Sequence, residues 1–270
     1  GSVGRGNAGR TTLCAGHRTL GKLEHQLVTV GAPAFSDAVV RTVQGTAGLT
    51  EFDVSVSGFQ AAQARGSLRV RLAAIDAGDL DRGAVELAQE VQKDPRLVEL
   101  ILSESVRVVR SRPNVLIVEH RLGFVMANAG VDQSTVAAPD GPQFALLLPV
   151  DPDGSAAALR QRLATLCGVQ PAVVITDSFG RAWRRGTAGV AIGAAGLPAL
   201  LDLRGNPDLF DRPLQVSISG FADEIAAGAS LVMGQGNEAQ PVVLMRGLAW
   251  NAPANPAAEL VRPAAEDMFR

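Results

Sequence analysis

The chain has 270 residues, 47% hydrophobic and 19% charged, with a net charge of −2. This supports one large core or two modest ones and gives no basic footprint for nucleic acid. Two cysteines without a CxxC pair make no disulfide framework, three scattered histidines make no HExxH zinc motif, and no apolar run is long enough to span a membrane.

Cysteine usage of this kind points to a reducing, cytoplasmic location. The chain opens Gly1-Ser2 without methionine, as a trimmed tag or a fragment edge does, and has no hydrophobic signal core. Of 25 cationic residues 23 are arginine, so a phosphate-binding lysine could only be Lys22 or Lys93.

Residues 1–66 show no sustained period of 2 or 3.6; only Leu27–Val30 and Phe52–Val56 read as short strands. A literal GxGxxG at Gly4–Gly9 has no strand to feed it, which excludes a dinucleotide fold there. The chain then divides into this N-terminal region, a core over 67–250 and a tail over 251–270. A helix is predicted over Gly83–Gln92. Asp94-Pro95 is an N-cap with proline at N1, opening a second helix to about Val109.

Asn114–Glu119 and Gly123–Ala127 read as a hairpin whose first strand ends at His120, and Phe144–Leu148 as a third strand. A helix follows over Ser155–Cys167, then a buried-type strand over Ala172–Thr176 and a Gly/Ala segment over 186–196 that permits close backbone approach. Pro213–Ser219 is expected as a strand, Phe221–Met233 as a helix and Pro241–Arg246 as a last strand, with the tail lying on the surface. Strands and helices mix without βαβ alternation, so the expected class is α+β.

Two segments carry the chemistry. GFVMANAGVDQS (123–134) and ITDSFGRAWRRG (175–186) each run from an apolar strand onto a carboxylate, Asp132 and Asp177. Such carboxylates cap turns, or hold a hard cation together with substrate phosphates. Arg181, Arg184 and Arg185 follow Asp177 closely, and arginine forks hold phosphate or carboxylate oxygens bidentately. Ser178 lacks a GxSxG elbow, so it reads as a cation ligand or phosphate donor rather than a nucleophile. Trp183 is assigned to the core in preference to a stacking surface. Asp202–Gly205 and Asp208–Asp211 form a polar loop open to internal Asp–Arg pairing. Gly234 suits a helix-ending turn, while Gln235, Asn237 and Glu238 could instead reach a base, ribose or metal.

ANAGVDQS (127–134), ITDSFGRAWRRGTAGVAIGAAGL (175–197), DLRG (202–205), ADEIAAGASLVMGQG (222–236) and PVVLMRGL (241–248) resemble the coenzyme F420-0:L-glutamate ligases, or gamma-glutamyl ligases. DPRLVELILSES (94–105) and RPAAEDMFR (262–270) fit the same family, so the resemblance covers residues from about 70 onward. It implies an α+β ligase fold and an intertwined homodimer. It also implies addition of L-glutamate, through gamma-linked amide bonds, to the lactyl carboxylate of the deazaflavin precursor F420-0. GTP would be the co-substrate, with two divalent cations, magnesium or manganese, and potassium as a further candidate.

Carried over by motif, the cation ligands fall on Asp132, Asp177, Ser178 and Gln235. The nucleotide contacts fall on Thr135 and on the loop Met233, Gly234, Gln235, Gly236, Asn237, Glu238, Ala239 and Gln240. Three departures stand out. Gln235 occupies a place where archaeal members have Glu, and Thr135 one where Asn is frequent. The family's early nucleotide loop and its lysine motif find no counterpart before residue 70, where Ala61–Gly66 sits in the expected place without the lysine. Weak GTP binding is the expectation. Some bifunctional relatives continue into a flavin-reductase-like domain, which is not expected here. Two rival readings stay open: a deazaflavin- or flavin-binding redox protein, and a non-catalytic binding homologue.

Overall fold

The computed structural model describes residues 26–31, 69–133, 144–238 and 240–268. A short strand β1 (Gln26–Gly31) precedes β2 (Arg69–Arg71), which is followed by helices α1 (Arg82–Val91) and α2 (Pro95–Ser103). Both helices start on aspartate caps: Asp81 accepts from the Gly83 N–H at 2.7 Å and Asp94 from the Arg96 N–H at 2.8 Å. Proline at N1 costs α2 nothing, since that N–H would have no partner in the helix.

The helix expected to reach Val109 stops at Ser103. The Ser103 and Ser105 hydroxyls donate to the Leu100 and Ile101 carbonyls at 2.7 and 2.6 Å, competing with the backbone for the last turn. Ser105–Arg112 then forms β3 and pairs antiparallel with β4 (Val115–His120), Val108 lying opposite Val118. β-Branched Val106, Val108 and Val109 suit that pairing better than a helix. β5 (Val125–Ala127) completes the meander, the expected hairpin. His120 ends β4 fully buried; its Nδ1 accepts from the Leu122 N–H at 3.0 Å, and its Nε2 lies 3.5 Å from Glu104.

β6 (Phe144–Leu146) pairs with β2 and leads into α3 (Pro152–Cys167). β7 (Ala172–Arg181) and β8 (Arg184–Ala195) form a long hairpin. Of the segment expected as a strand over 213–219, only Ile218–Ser219 pairs, as β10 against β9 (Leu201–Asp202). Pro213 has no N–H for a ladder, and Leu214 and Ser217 accept instead from Gly205 and Leu203 within the loop. α4 (Phe221–Met233) and β11 (Val242–Arg246) follow.

The principal sheet has the order β11–β1–β7–β8. β1, from the segment with the weakest sequence pattern, is a central strand, parallel to β7 and antiparallel to β11. Alternation along β7 puts Val173, Ile175 and Phe179 in one apolar cluster with Leu163 of α3, and Val174 in another with Ile225 and Ala226 of α4. The two helices therefore cover opposite faces. Small residues in β8 let them come close: a Cβ at Gly193 would strike the Pro152 backbone of α3, and one at Gly189 the Ala226 backbone of α4. Ile192 is the extra residue of a bulge, since Ile175 pairs with Gly193 and Thr176 with Ala191. A third core cluster joins α1, α2 and β4.

The tail is pinned to this core. Asn255 both donates to the Leu200 carbonyl at 2.8 Å and accepts from the Leu200 N–H at 2.9 Å. Asp153, in the first turn of α3, accepts from Ala194 and Ala257 at 2.8 Å and from Ala258 at 3.2 Å. Asp153→Ala should therefore cost about 2–3 kcal/mol, because part-buried N–H groups lose a charged acceptor. Urea unfolding measures it, and a loss under about 0.5 kcal/mol would count against the staple. Among the described residues no helix is long and apolar enough to cross a membrane.

Candidate cation and nucleotide site

β7 runs five residues past Thr176, where the sequence pattern had suggested its end, so Asp177 lies within the strand rather than at its terminus. Pairing with β8 carries the strand on. β1, however, ends at Gly31 opposite Thr176, so Asp177 is the first residue of β7 beyond its parallel neighbour. It shares the face of Ile175 and Phe179, towards Met126 of β5.

Asp132 reaches this region through a sharp turn. Asn128 and Ala129 both take φ of 53° and Gly130 a φ of 68°. Left-handed backbone is uncommon outside glycine and costly to retain without tertiary support. At Gly130 any side chain would run into Leu148. The turn delivers Asp132 to a backbone bridge with Leu146, their N–H groups bonding each other's carbonyls at 3.0 and 2.8 Å.

The two carboxylates act on each other. Burial pushes Asp177 up, the negative charge of Asp132 adds to that, and the Ser178 N–H at 2.7 Å opposes them; the outcome is about 6. A carboxylate strained by burial and by a like charge gains from a cation placed between the two. Asp132 and Asp177 thus fit a hard divalent ion.

Ser178 stands on the other face of the strand. It lies opposite Gly189, which packs against Ala226 and Ser230 of α4. Its backbone N–H holds the Asp177 carboxylate, while its hydroxyl lies on the α4 side. Among the described residues no cluster of three acidic, histidine or cysteine side chains forms.

Arg181, Arg184 and Arg185 are exposed at the tip of the β7–β8 hairpin, and none has an ion-pair partner among the described residues. Arg181 lies four residues beyond Asp177, about 13 Å along the strand at ~3.3 Å per residue. Trp183, expected in the core, is 88% exposed. It sits with Ala182 in the two-residue turn that joins β7 to β8.

α4 ends at Met233, and Gly234, with φ of 75°, donates back to the Ser230 carbonyl at 3.1 Å. The exposed loop beyond it is held by Glu238, whose carboxylate accepts from the Gly236 N–H at 2.8 Å. Backbone N–H groups, its own first, keep Glu238 below the usual range. Gln235, Gly236, Asn237 and Gln240 are exposed, and α4 sets this loop on the Ser178 face. Thr135 and Ala239 lie outside the described residues. In the 202–212 loop, Arg204 pairs with Asp202 at 2.5 Å and Arg212 with Asp208 at 2.8 Å. That polar loop satisfies itself. Sequence reasoning passed over Asn128, whose Oδ1 is buried without a hydrogen-bond partner beside the Asp132 turn. The Asn-Ala-Gly run before the carboxylate was the available signal.

The fold is α+β, with two neighbouring carboxylates, Asp132 and Asp177, and an arginine-tipped hairpin on the same strand as Asp177. Residues 35–247 match the family model described as F420-0:Gamma-glutamyl ligase, and the chain belongs to that family. A protein of Methanopyrus kandleri named coenzyme F420:L-glutamate ligase is 46% identical over 192 residues, covering 69% of this chain and 74% of the relative. Proteins of the same name from Methanothermobacter thermautotrophicus and Methanocaldococcus jannaschii are 44% and 41% identical, each covering 69% of this chain and 73% of the relative. The family match starts at residue 35, well ahead of the first motif legible by eye.

Proposed function

We propose that this protein is a GTP-dependent ligase that joins L-glutamate to the lactyl carboxylate of coenzyme F420-0, through gamma-linked amide bonds; the names of its relatives give coenzyme F420 and L-glutamate for them. The observation that carries the reading is the placement of Asp177, a buried carboxylate whose ionised form is opposed first by burial and further by the nearby charge of Asp132. A carboxylate does not acylate an amine at neutral pH until its oxygen is made a leaving group. In this reading the lactyl carboxylate attacks the γ-phosphate of GTP, giving an acyl phosphate and GDP. The glutamate amine then displaces inorganic phosphate and forms the amide.

Asp132 and Asp177 would hold one divalent cation, magnesium or manganese, and Ser178 and Gln235, on the other face of β7, would offer oxygens to the second. When bound, these ions supply charge compensation for phosphate oxygens. Arg181, Arg184 and Arg185 hold anionic groups of the substrates, and the Met233–Gln240 loop meets the nucleotide. A homodimer, a cytoplasmic setting and potassium as a monovalent ion belong to the same proposal.

Incubation with GTP, Mn²⁺, F420-0 and L-glutamate, followed by mass spectrometry, is the test. A gain of one glutamyl unit with release of GDP supports the ligase, and binding without turnover overturns it. Gln235→Glu adds a charged donor, so Mn²⁺ should bind it several-fold more tightly than wild type in a calorimetric titration. Equal affinity would place Gln235 away from the ion.

A further inference from the structure

The hairpin tip does not fit the role of a mere connection. Trp183 is 88% exposed, whereas the other tryptophan, Trp250, packs edge-on against Phe221 at 5.9 Å. Aromatic side chains of this size normally contribute by burial. Its φ of 64° is a conformation that glycine or asparagine adopts more easily in a two-residue turn. Neither turn geometry nor packing accounts for a tryptophan there.

Around it the surface is open. Among the described residues, a Cβ on Gly180 or Gly186 would meet nothing within 4 Å. Arg181 lies directly opposite Arg184, and like charges facing each other across two strands disfavour the pair. An anion between the two guanidinium groups turns that repulsion into two attractions.

We propose that the tip binds the acceptor substrate, Trp183 stacking on the flat deazaflavin ring while Arg181 and Arg184 hold the phosphodiester. This rests on the ligase reading above. Ring and reacting carboxylate lie at opposite ends of that substrate, the phosphodiester being borne on the lactyl unit, and Arg181 in turn comes between Asp177 and Trp183 along the chain. The tip and the Asp132–Asp177 pair are likewise separated, by about 13 Å along β7. A second copy of this chain docked tip to tip would bring guanidinium groups against guanidinium groups, which the charge opposes.

Calorimetric titrations with F420-0, and separately with GTP and Mg²⁺, test this on wild type, Trp183→Ala and Trp183→Phe. Loss of one stacking platform should weaken F420-0 binding roughly 10- to 100-fold in Trp183→Ala, and Trp183→Phe should recover most of it. GTP affinity and Tm should not move, and KM for F420-0 should rise while kcat holds. If wild type transfers glutamate but Trp183→Ala binds F420-0 as wild type does, the inference fails and the ligase reading stands. Loss of GTP affinity instead assigns the tip to the nucleotide and overturns the inference. A change in oligomeric mass with unchanged F420-0 affinity assigns it to a subunit contact, with the same consequence. If wild type neither binds F420-0 nor transfers glutamate, the ligase reading fails as well.

Discussion

Asp177→Asn should lose at least about 100-fold in Mn²⁺-dependent glutamyl transfer, the scale expected when preorganised charge stabilisation is removed. It should nevertheless fold, and without cations it should be more stable than wild type at neutral pH. The sign follows from the raised carboxyl. Burial first, and the Asp132 charge second, lift Asp177 from 3.8 to about 6 in the folded state. Above that pH the folded protein carries an ionised group that the unfolded chain holds more comfortably, a penalty on the order of 3 kcal/mol. The penalty falls as pH drops from about 6 towards 3.8 and vanishes below about pH 3, where the group is protonated in both states. Asparagine keeps an oxygen for the Ser178 N–H and carries no charge. Urea unfolding in EDTA at pH 7.5 should show the variant ahead, the gap should narrow by pH 4, and at pH 3 the two should coincide. Mn²⁺ should then raise the wild-type midpoint and leave the variant's in place. Full turnover in Asp177→Asn would remove the carboxylate from the site.

Gly193→Val should be the most damaging single change in the fold, costing more than about 3 kcal/mol. Its Cβ would fall on the carbonyl and Cα substituents of Pro152, where backbone rather than a flexible side chain blocks it. To relieve that clash α3 must lift from the sheet, and Asp153 then moves off Ala194. Gly180→Ala, on the same hairpin with open space around it, should stay within about 0.5 kcal/mol of wild type. Equal midpoints for the two variants in urea would mean that α3 does not pack on β8 as described.

Local signals made the helices legible. Asp94-Pro95 announces a capped start and α4 occupies the expected Phe221–Met233, whereas α3, expected from Ser155, begins at Pro152 because Asp151 caps it in the same way. Errors came where distant partners decide. Ser105–Arg112 has a helical neighbour in sequence but a strand neighbour in space, and the ladder to β4 prevails. Trp183 is apolar by composition, yet it stands exposed in a two-residue turn.

Asp132 and Asp177 could be named from their motifs. Their effect on each other could not, because it depends on a run of left-handed residues that only the folded chain reveals. Their expected company also divides: Asp177 and the Ser178 hydroxyl take opposite faces by simple alternation. Strand β1 was visible as a scrap, and its central position was not, since nothing in residues 26–31 says which strands will flank them.

That central position sets the order of events during synthesis. Val30 pairs with Ile175 on one side and with Val242 on the other, so both partners are made long after it. At ~5–20 residues per second a growing chain needs roughly 10–40 s to travel from β1 to β11. For most of that interval, until β7 emerges, neither edge of the strand has a partner in the sheet, and the edge that meets β11 waits for all of it. Pairing over such separations is slow in any case, because a large loop must close before it is rewarded. Newly made protein should therefore depend on chaperones at low temperature or high expression, and yield, more than stability, should be the quantity that mutations in β1 reduce first.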